Sequence, residues 1–233
     1  MRQKHESEAG IVARQYRRWE LDRALMQRTE KDEERRHAVS PVVAISREMG
    51  AGGVTTGQIV ANQLEFVYYD KEVIEQIATE TGSSAEHIAR KDEATHEAFS
   101  TMMLNLLDSR NVADTVYARA LLRVLKEIAA QGRAVVVGRG GPCALPEAIK
   151  VRLIAPFNLR VQRMAMVRDI CEKEAEQVVL ASDHAKKRFL RHFFGCNVND
   201  PLLYDLVINT GTLSLDHAAE LIIARVRQTW KEG

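Results

Sequence analysis

The chain has little cysteine: three residues in 233, at Cys143, Cys171 and Cys196, far apart and without a C-x-x-C pair. That excludes a disulfide framework and gives no zinc-binding pattern, so the thiols read as ordinary reduced side chains. Although 45% of the residues are hydrophobic, no apolar run is long enough to span a bilayer. The opening Met1-Arg2-Gln3-Lys4-His5-Glu6 contains no apolar signal core, and a cytoplasmic protein is expected. An excess of one charge is also missing. A formal net charge of +1 provides no bulk footprint for nucleic acid or a membrane surface, so neither is expected as a partner. Beyond Gly10 the first 38 residues lack both glycine and proline, while charges of both signs are dense and Val12, Tyr16, Trp19 and Met26 fall near one helical stripe. Residues 1–38 therefore read as a charged helical extension, either packed loosely on the domain or acting as an arm that forms a homodimer.

What is present is organised around one stretch. Val42-Val43-Ala44-Ile45-Ser46 is a short apolar strand, Arg47 to Thr56 is a glycine-rich turn, and Gly57 onward carries Ile59, Val60 and Leu64 at helical spacing. Glycines let backbone N–H groups converge on an anion, and the following helix points its positive end at the same place. The segment Gly50, Ala51, Gly52, Gly53, Val54, Thr55 and Thr56 is thus a candidate phosphate cradle; the competing reading is a tight strand-to-helix turn without a ligand. Set on the G-x-x-x-x-G-K-[ST] pattern with Gly52 as the last glycine, the loop has Gly53 where the lysine belongs and Arg47 where the first glycine belongs.

Further strands are expected within 65–70, at Ala134-Val135-Val136-Val137, at Val151–Pro156 and at Leu206–Asn209. Helical spacing is expected through Lys71–Thr79 with a break at Thr81-Gly82, and again over 94–107, 114–130, 158–169 and 173–194; Ser214 caps a last helix. Alternating strands and helices imply a doubly wound α/β sheet, in which ligands gather at the carboxyl ends of the strands. The Gly50 loop, Asp70, Arg139 and Asn209-Thr210 all fall at such ends.

Ile45-Ser46-Arg47-Glu48-Met49-Gly50-Ala51-Gly52-Gly53, Tyr69-Asp70-Lys71-Glu72-Val73-Ile74, Val137-Gly138-Arg139-Gly140, Phe157-Asn158-Leu159-Arg160-Val161 with Arg163, and Leu203 to Thr210 resemble, in order, the motifs of the cytidylate kinase-like family of P-loop nucleoside monophosphate kinases. The resemblance implies a three-layer α/β/α P-loop NTPase domain over 39–230 with a five-stranded parallel sheet, a monophosphate-binding helical lobe at about 71–110 and a lid at about 160–195. It implies phosphoryl transfer from ATP with Mg²⁺ to CMP, dCMP or a related acceptor. Arg47, the glycine loop, Arg160, Arg163 and Asn209 would then hold the nucleotide donor, with the Thr55 hydroxyl near the metal. Asp70, Arg139 and Lys186 would hold the acceptor, and Arg139, Arg188 and Arg191 would be catalytic. Bland readings stand beside these: a solvated face for the lid cations, a salt bridge for Arg139 and a helix N-cap for Asp70. With no loop lysine, a catalytically weak or inactive nucleotide-binding regulator is the rival to a kinase.

Overall fold

The computed structural model describes residues 40–84 and 112–229, and within them side chains at 78–84 and 112–116 are not considered. The expected 1–38 extension and the helix expected over 94–107 lie outside the described residues.

Strand β1, Val42–Arg47, leads through the glycine loop into helix α1, Gly53–Leu64. Strand β2 (Val67–Tyr69) and helix α2 (Lys71–Ser84) follow. Helix α3 (Val112–Gln131) then enters β3 (Ala134–Val137) and the single turn α4 (Gly141–Ala144). After β4 (Ile149–Ile154) come α5 (Phe157–Arg168) and the long α6 (Glu172–Phe194). A short 3₁₀ turn, Pro201–Leu203, precedes β5 (Leu206–Asn209) and α7 (Leu215–Thr229).

The strands form one parallel sheet in the order β2-β3-β1-β4-β5. Central β1 is covered on both faces, which is why its sequence is a continuous apolar run rather than an alternation. Val42 and Ala44 face a layer made by α2, α3 and the end of α6, whereas Val43 and Ile45 face α1 and α7. A third, small cluster of Val161, Met164, Ala175 and Val179 joins α5 to α6, with Met49 of the glycine loop packed against it. The expected lid segment therefore has an apolar seam of its own and touches the loop directly.

Two local expectations need correction or refinement. Helix α2 does not break at Thr81-Gly82 but runs on to Ser84. One glycine costs a helix only about 1 kcal/mol relative to alanine, and Val73, Ile74 and Ile77 anchor the helix in the core. Helix α7 is capped as expected, the Ser214 hydroxyl accepting from the His217 N–H at 3.2 Å.

Candidate active site

Because all five strands are parallel, their carboxyl ends share one edge of the sheet, and the glycine loop, Asp70, Arg139 and Asn209-Thr210 all lie along it. Gly52 caps α1 in the left-handed region at φ 78°, with no side-chain cap. The loop's carbonyls are drawn to one side by its neighbours. Arg160 donates to the Met49 carbonyl at 3.1 Å, Arg163 reaches the Gly50 carbonyl at 3.4 Å, and the Thr210 hydroxyl donates to the Ala51 carbonyl at 3.0 Å. Peptide planes held by their oxygens turn their N–H groups the other way. The N–H groups of Gly50, Gly52, Gly53 and Val54 have no acceptor among the described residues, so they remain available to an anion.

The polar framework around the loop joins motif residues, Ser46, Glu48, Met49 and Arg160, to Arg152 and Asp183, which the motifs alone did not reveal. Arg160 donates to the Ala155 carbonyl at 3.0 Å and to Asp183 at 2.6 Å, and lies 3.3 Å from Glu48. Asp183, on α6, also accepts from the Met49 N–H at 3.0 Å. Burial raises the Asp183 carboxyl, but the Met49 N–H, the Arg160 guanidinium and Lys186 outweigh it and hold the pKa below its ordinary value. Arg152, buried on β4, donates to the Ser46 hydroxyl at 2.7 Å. Glu48, Arg152, Arg160, Asp183, Lys186 and Lys187 help line a polar cavity of about 180 Å³. No sequence signal joins Asp183 to Met49: they stand 134 positions apart and meet only through the fold.

Three cations at this edge are treated differently. The Arg47 guanidinium makes no hydrogen bond or ion pair with the described residues, and burial lowers its pKa while Tyr68, Glu72 and Asp70 act against that shift. Arg139, held at φ 47°, pairs with Glu75 of α2 and lies 4.9 Å above the Phe189 ring of α6, yet its buried Nε has no hydrogen-bond partner among the described residues. Burial, partly offset by Glu72 and reinforced by Arg47, pushes the Arg139 pKa down to about 10. Lys186 forms an ion pair with Asp183 at 3.5 Å but its buried Nζ has no well-formed hydrogen bond among the described residues, and burial with repulsion from Arg47 outweighs Asp183 and pushes its pKa down to about 8. Arg47 thus repels both Arg139 and Lys186. Such an arrangement is relieved by a polyanion bound between them.

The remaining expected site residues take varied places. Asp70 fulfils the cap reading: its carboxylate accepts from the Val73 N–H at 3.0 Å, and burial raises its pKa. Arg163 is occupied by Thr210 as well as by Gly50. The Asn209 side chain accepts from the Gly211 N–H at 2.9 Å. Arg188 and Arg191 are exposed on α6, while Lys186 of the same helix turns inward. Thr55 is exposed in the first turn of α1, one residue past the pattern's hydroxyl position, which Val54 occupies; Thr56 is fully buried.

The sequence model of the cytidylate kinase-like family matches residues 42–212, from the first residue of β1 to just past β5. The chain belongs to the cytidylate kinase-like family. The chain is also similar to the cytidylate kinase of Pyrococcus horikoshii, 25% identical over 79% of this chain and 88% of that protein. The cytidylate kinase of Sulfurisphaera tokodaii is 27% identical over 78% of this chain and 93% of its own. Among solved structures, an uncharacterized protein from Eubacterium ventriosum superposes with a TM-score of 0.65 at 19% identity, covering 81% of this chain and 99% of that one, a likeness of fold. The family assignment and the strand order agree: this is a P-loop nucleoside monophosphate kinase-like domain with a five-stranded parallel sheet. Among the described residues no helix is long and apolar enough to cross a membrane.

Proposed function

We propose that the chain is a nucleotide kinase that transfers the γ-phosphoryl group of ATP to a nucleoside monophosphate, with CMP or dCMP as the acceptor. The observation that carries this reading is the approach of Arg47 to both Arg139 and Lys186, cations with donors that find no partner among the described residues, beside a loop whose Gly50, Gly52, Gly53 and Val54 amides find none among them either. Transfer between two polyanions needs alignment and positive charge more than covalent participation by the protein. In this reading the loop amides hold the donor phosphates, Arg139 holds the acceptor phosphate beside α2, and Lys186 brings charge from the lid.

The donor set also fits the metal that such nucleotides carry. Mg²⁺ keeps water and phosphate oxygens as most of its ligands and asks the protein for one or two oxygens. The described residues contain no cluster of three or more His, Cys, Asp or Glu that would form a closed cage, while the Thr55 hydroxyl and the Asp70 carboxylate stand at the same edge. Bound with ATP, the ion would neutralise phosphate charge, with the exposed Thr55 hydroxyl in the first turn of α1 as its candidate protein ligand.

The second reading, a regulator that binds nucleotide without turnover, is favoured by Gly53 and Val54, which remove both the lysine and the hydroxyl of the usual loop. A coupled assay of ADP release with CMP, dCMP, UMP, AMP and GMP as acceptors, run beside ATP-binding calorimetry, separates them. Acceptor-dependent ADP release with a preference for CMP or dCMP is the expected result. ATP binding without transfer to any acceptor would move the assignment to the regulator, and absence of ATP binding at millimolar concentration would overturn both.

A further inference from the structure

The loop pattern departs from the usual one at positions 47, 53 and 54, and the first two meet in space. A Cβ placed on Gly53 would lie 2.5 Å from Arg47 Cγ, 2.7 Å from its Cβ and 3.1 Å from its Cδ. A Cβ placed on Gly138, at the end of β3, would lie 2.3 Å from Arg47 Nη1. Two glycines therefore form a trough in which the Arg47 side chain lies, its stem across the first residue of α1 and its guanidinium over the end of the neighbouring strand. Only one long side chain can occupy this space. It can come from the helix at position 53, as in the lysine-bearing pattern, with a glycine at position 47 to make room; or it can come from the strand at position 47, with a glycine at 53.

We infer that Arg47 takes the place of the loop lysine as the cation that accompanies the transferred phosphoryl group, an inference that rests on the kinase reading above. The guanidinium sits between the glycine loop, where donor phosphates would lie, and Gly138-Arg139, where an acceptor phosphate would lie. Its five N–H donors have no acceptor among the described residues. Asp70, Glu72 and Tyr68 lie near enough to act on its charge without forming an ion pair with it, and Lys186 and Arg152 repel it from the lid side and from β4. A guanidinium confined by packing, with no acceptor for its donors among the described residues, is prepared for charge that develops on equatorial phosphate oxygens. In the step itself the bond from γ-phosphorus to the bridging oxygen breaks, the electron pair leaves with ADP, and a new bond forms to an oxygen of the acceptor phosphate. Arg47 gives and takes no proton; it donates hydrogen bonds to the moving group.

The test uses Arg47→Met, which keeps bulk in the trough, and the double variant Arg47→Gly/Gly53→Lys, which moves the charge back to the helix. For Arg47→Met we expect kcat to fall about a hundredfold with KM for ATP changed less than about threefold, the mark of an interaction made in the transition state. The double variant should recover at least about tenfold of that loss, which a merely structural arginine would not allow. Turnover of Arg47→Met within about threefold of the parent, or a folded, ATP-binding double variant with no recovery, would overturn the inference. If Arg47→Met does not fold, the double variant alone decides, by turnover within about tenfold of the parent or by its absence. Should the parent protein bind ATP yet transfer nothing, the kinase reading fails separately. The ratio of ADP to ATP dissociation constants then decides the role of Arg47: loss of a preference for ATP in Arg47→Met supports contact with the terminal phosphate, and an unchanged ratio overturns it.

Discussion

The two sides of the glycine loop use basic residues in opposite ways. Toward β4 and β5, Arg152, Arg160 and Arg163 are fully engaged: they hold Ser46, Glu48, Asp183, Thr210 and the carbonyls of the loop. Toward β3 and β2, Arg47 and Arg139 repel each other, and Lys186, beside Asp183 on α6, is repelled by Arg47 in turn; all three keep donors without an acceptor among the described residues. Family resemblance alone assigns all of these cations except Arg152 to the nucleotides. The structure divides them into a set that fixes the loop's shape and a set that leaves it charged, and the first makes the second effective because a rigid cradle need not reorganise when the anion arrives.

That division can be broken by substitution, and the largest effect should come from the engaged side. Arg160→Ala removes the partner shared by Asp183, Glu48 and the Met49 and Ala155 carbonyls, and should lower folding stability by about 3 kcal/mol, near the low end for a broken buried pair because the carboxylates keep some contact with water. Urea denaturation checks this, and a loss under about 1 kcal/mol would show that Arg160 belongs with the ligand-facing set. Arg139→Ala should change stability much less but raise KM for the monophosphate about tenfold, as loss of a charge-assisted hydrogen bond would. Steady-state kinetics with the acceptor varied reads it, and an unchanged KM would leave Arg139 as the salt-bridge partner of Glu75 alone.

The smallest effect concerns pH. The Lys186 pKa is pushed down to about 8 from its ordinary 10.5. A lysine whose folded pKa lies below its unfolded one binds fewer protons in the folded state between those values, so its unfavourable contribution is fully present below about pH 8 and is relieved as pH rises toward 10.5. Anion binding runs the other way, because only the protonated amine attracts phosphate. ATP affinity should therefore fall several-fold as pH passes upward through about 8, and Lys186→Met should flatten the profile. Arg188→Ala and Arg191→Ala, at exposed positions of the same helix, should alter ATP affinity and turnover by less than about twofold; a larger effect would restore them as working cations of α6. Calorimetry across pH 6.5 to 9.5 gives the result, on the order of one pH unit either side of the transition.

Much of the fold was written in local sequence. Apolar runs of strand length, helical spacing between them and the glycine loop were enough to place β1, β3, β5, α1, α5, α6 and α7, because burial on both faces of a parallel sheet forces continuous apolar strands. The exception in α2 has a physical cause: local breaking signals at Thr81-Gly82 are weak against the packing of Val73, Ile74 and Ile77.

The site was less legible. Sequence order along the chain determined which residues stand at the carboxyl edge, since every parallel strand delivers its last residue there. It also displayed the two anomalies at positions 47 and 53, but as separate defects. Only the tertiary structure decided that Arg47 fills the space above Gly53 and Gly138, that Asp183 reaches the Met49 N–H, and that Arg160 holds the loop while Lys186 turns inward. The reason is geometric: these relations join segments far apart in the chain, and steric exclusion between an arginine on a strand and a glycine on the next helix has no periodicity or composition by which a sequence could announce it.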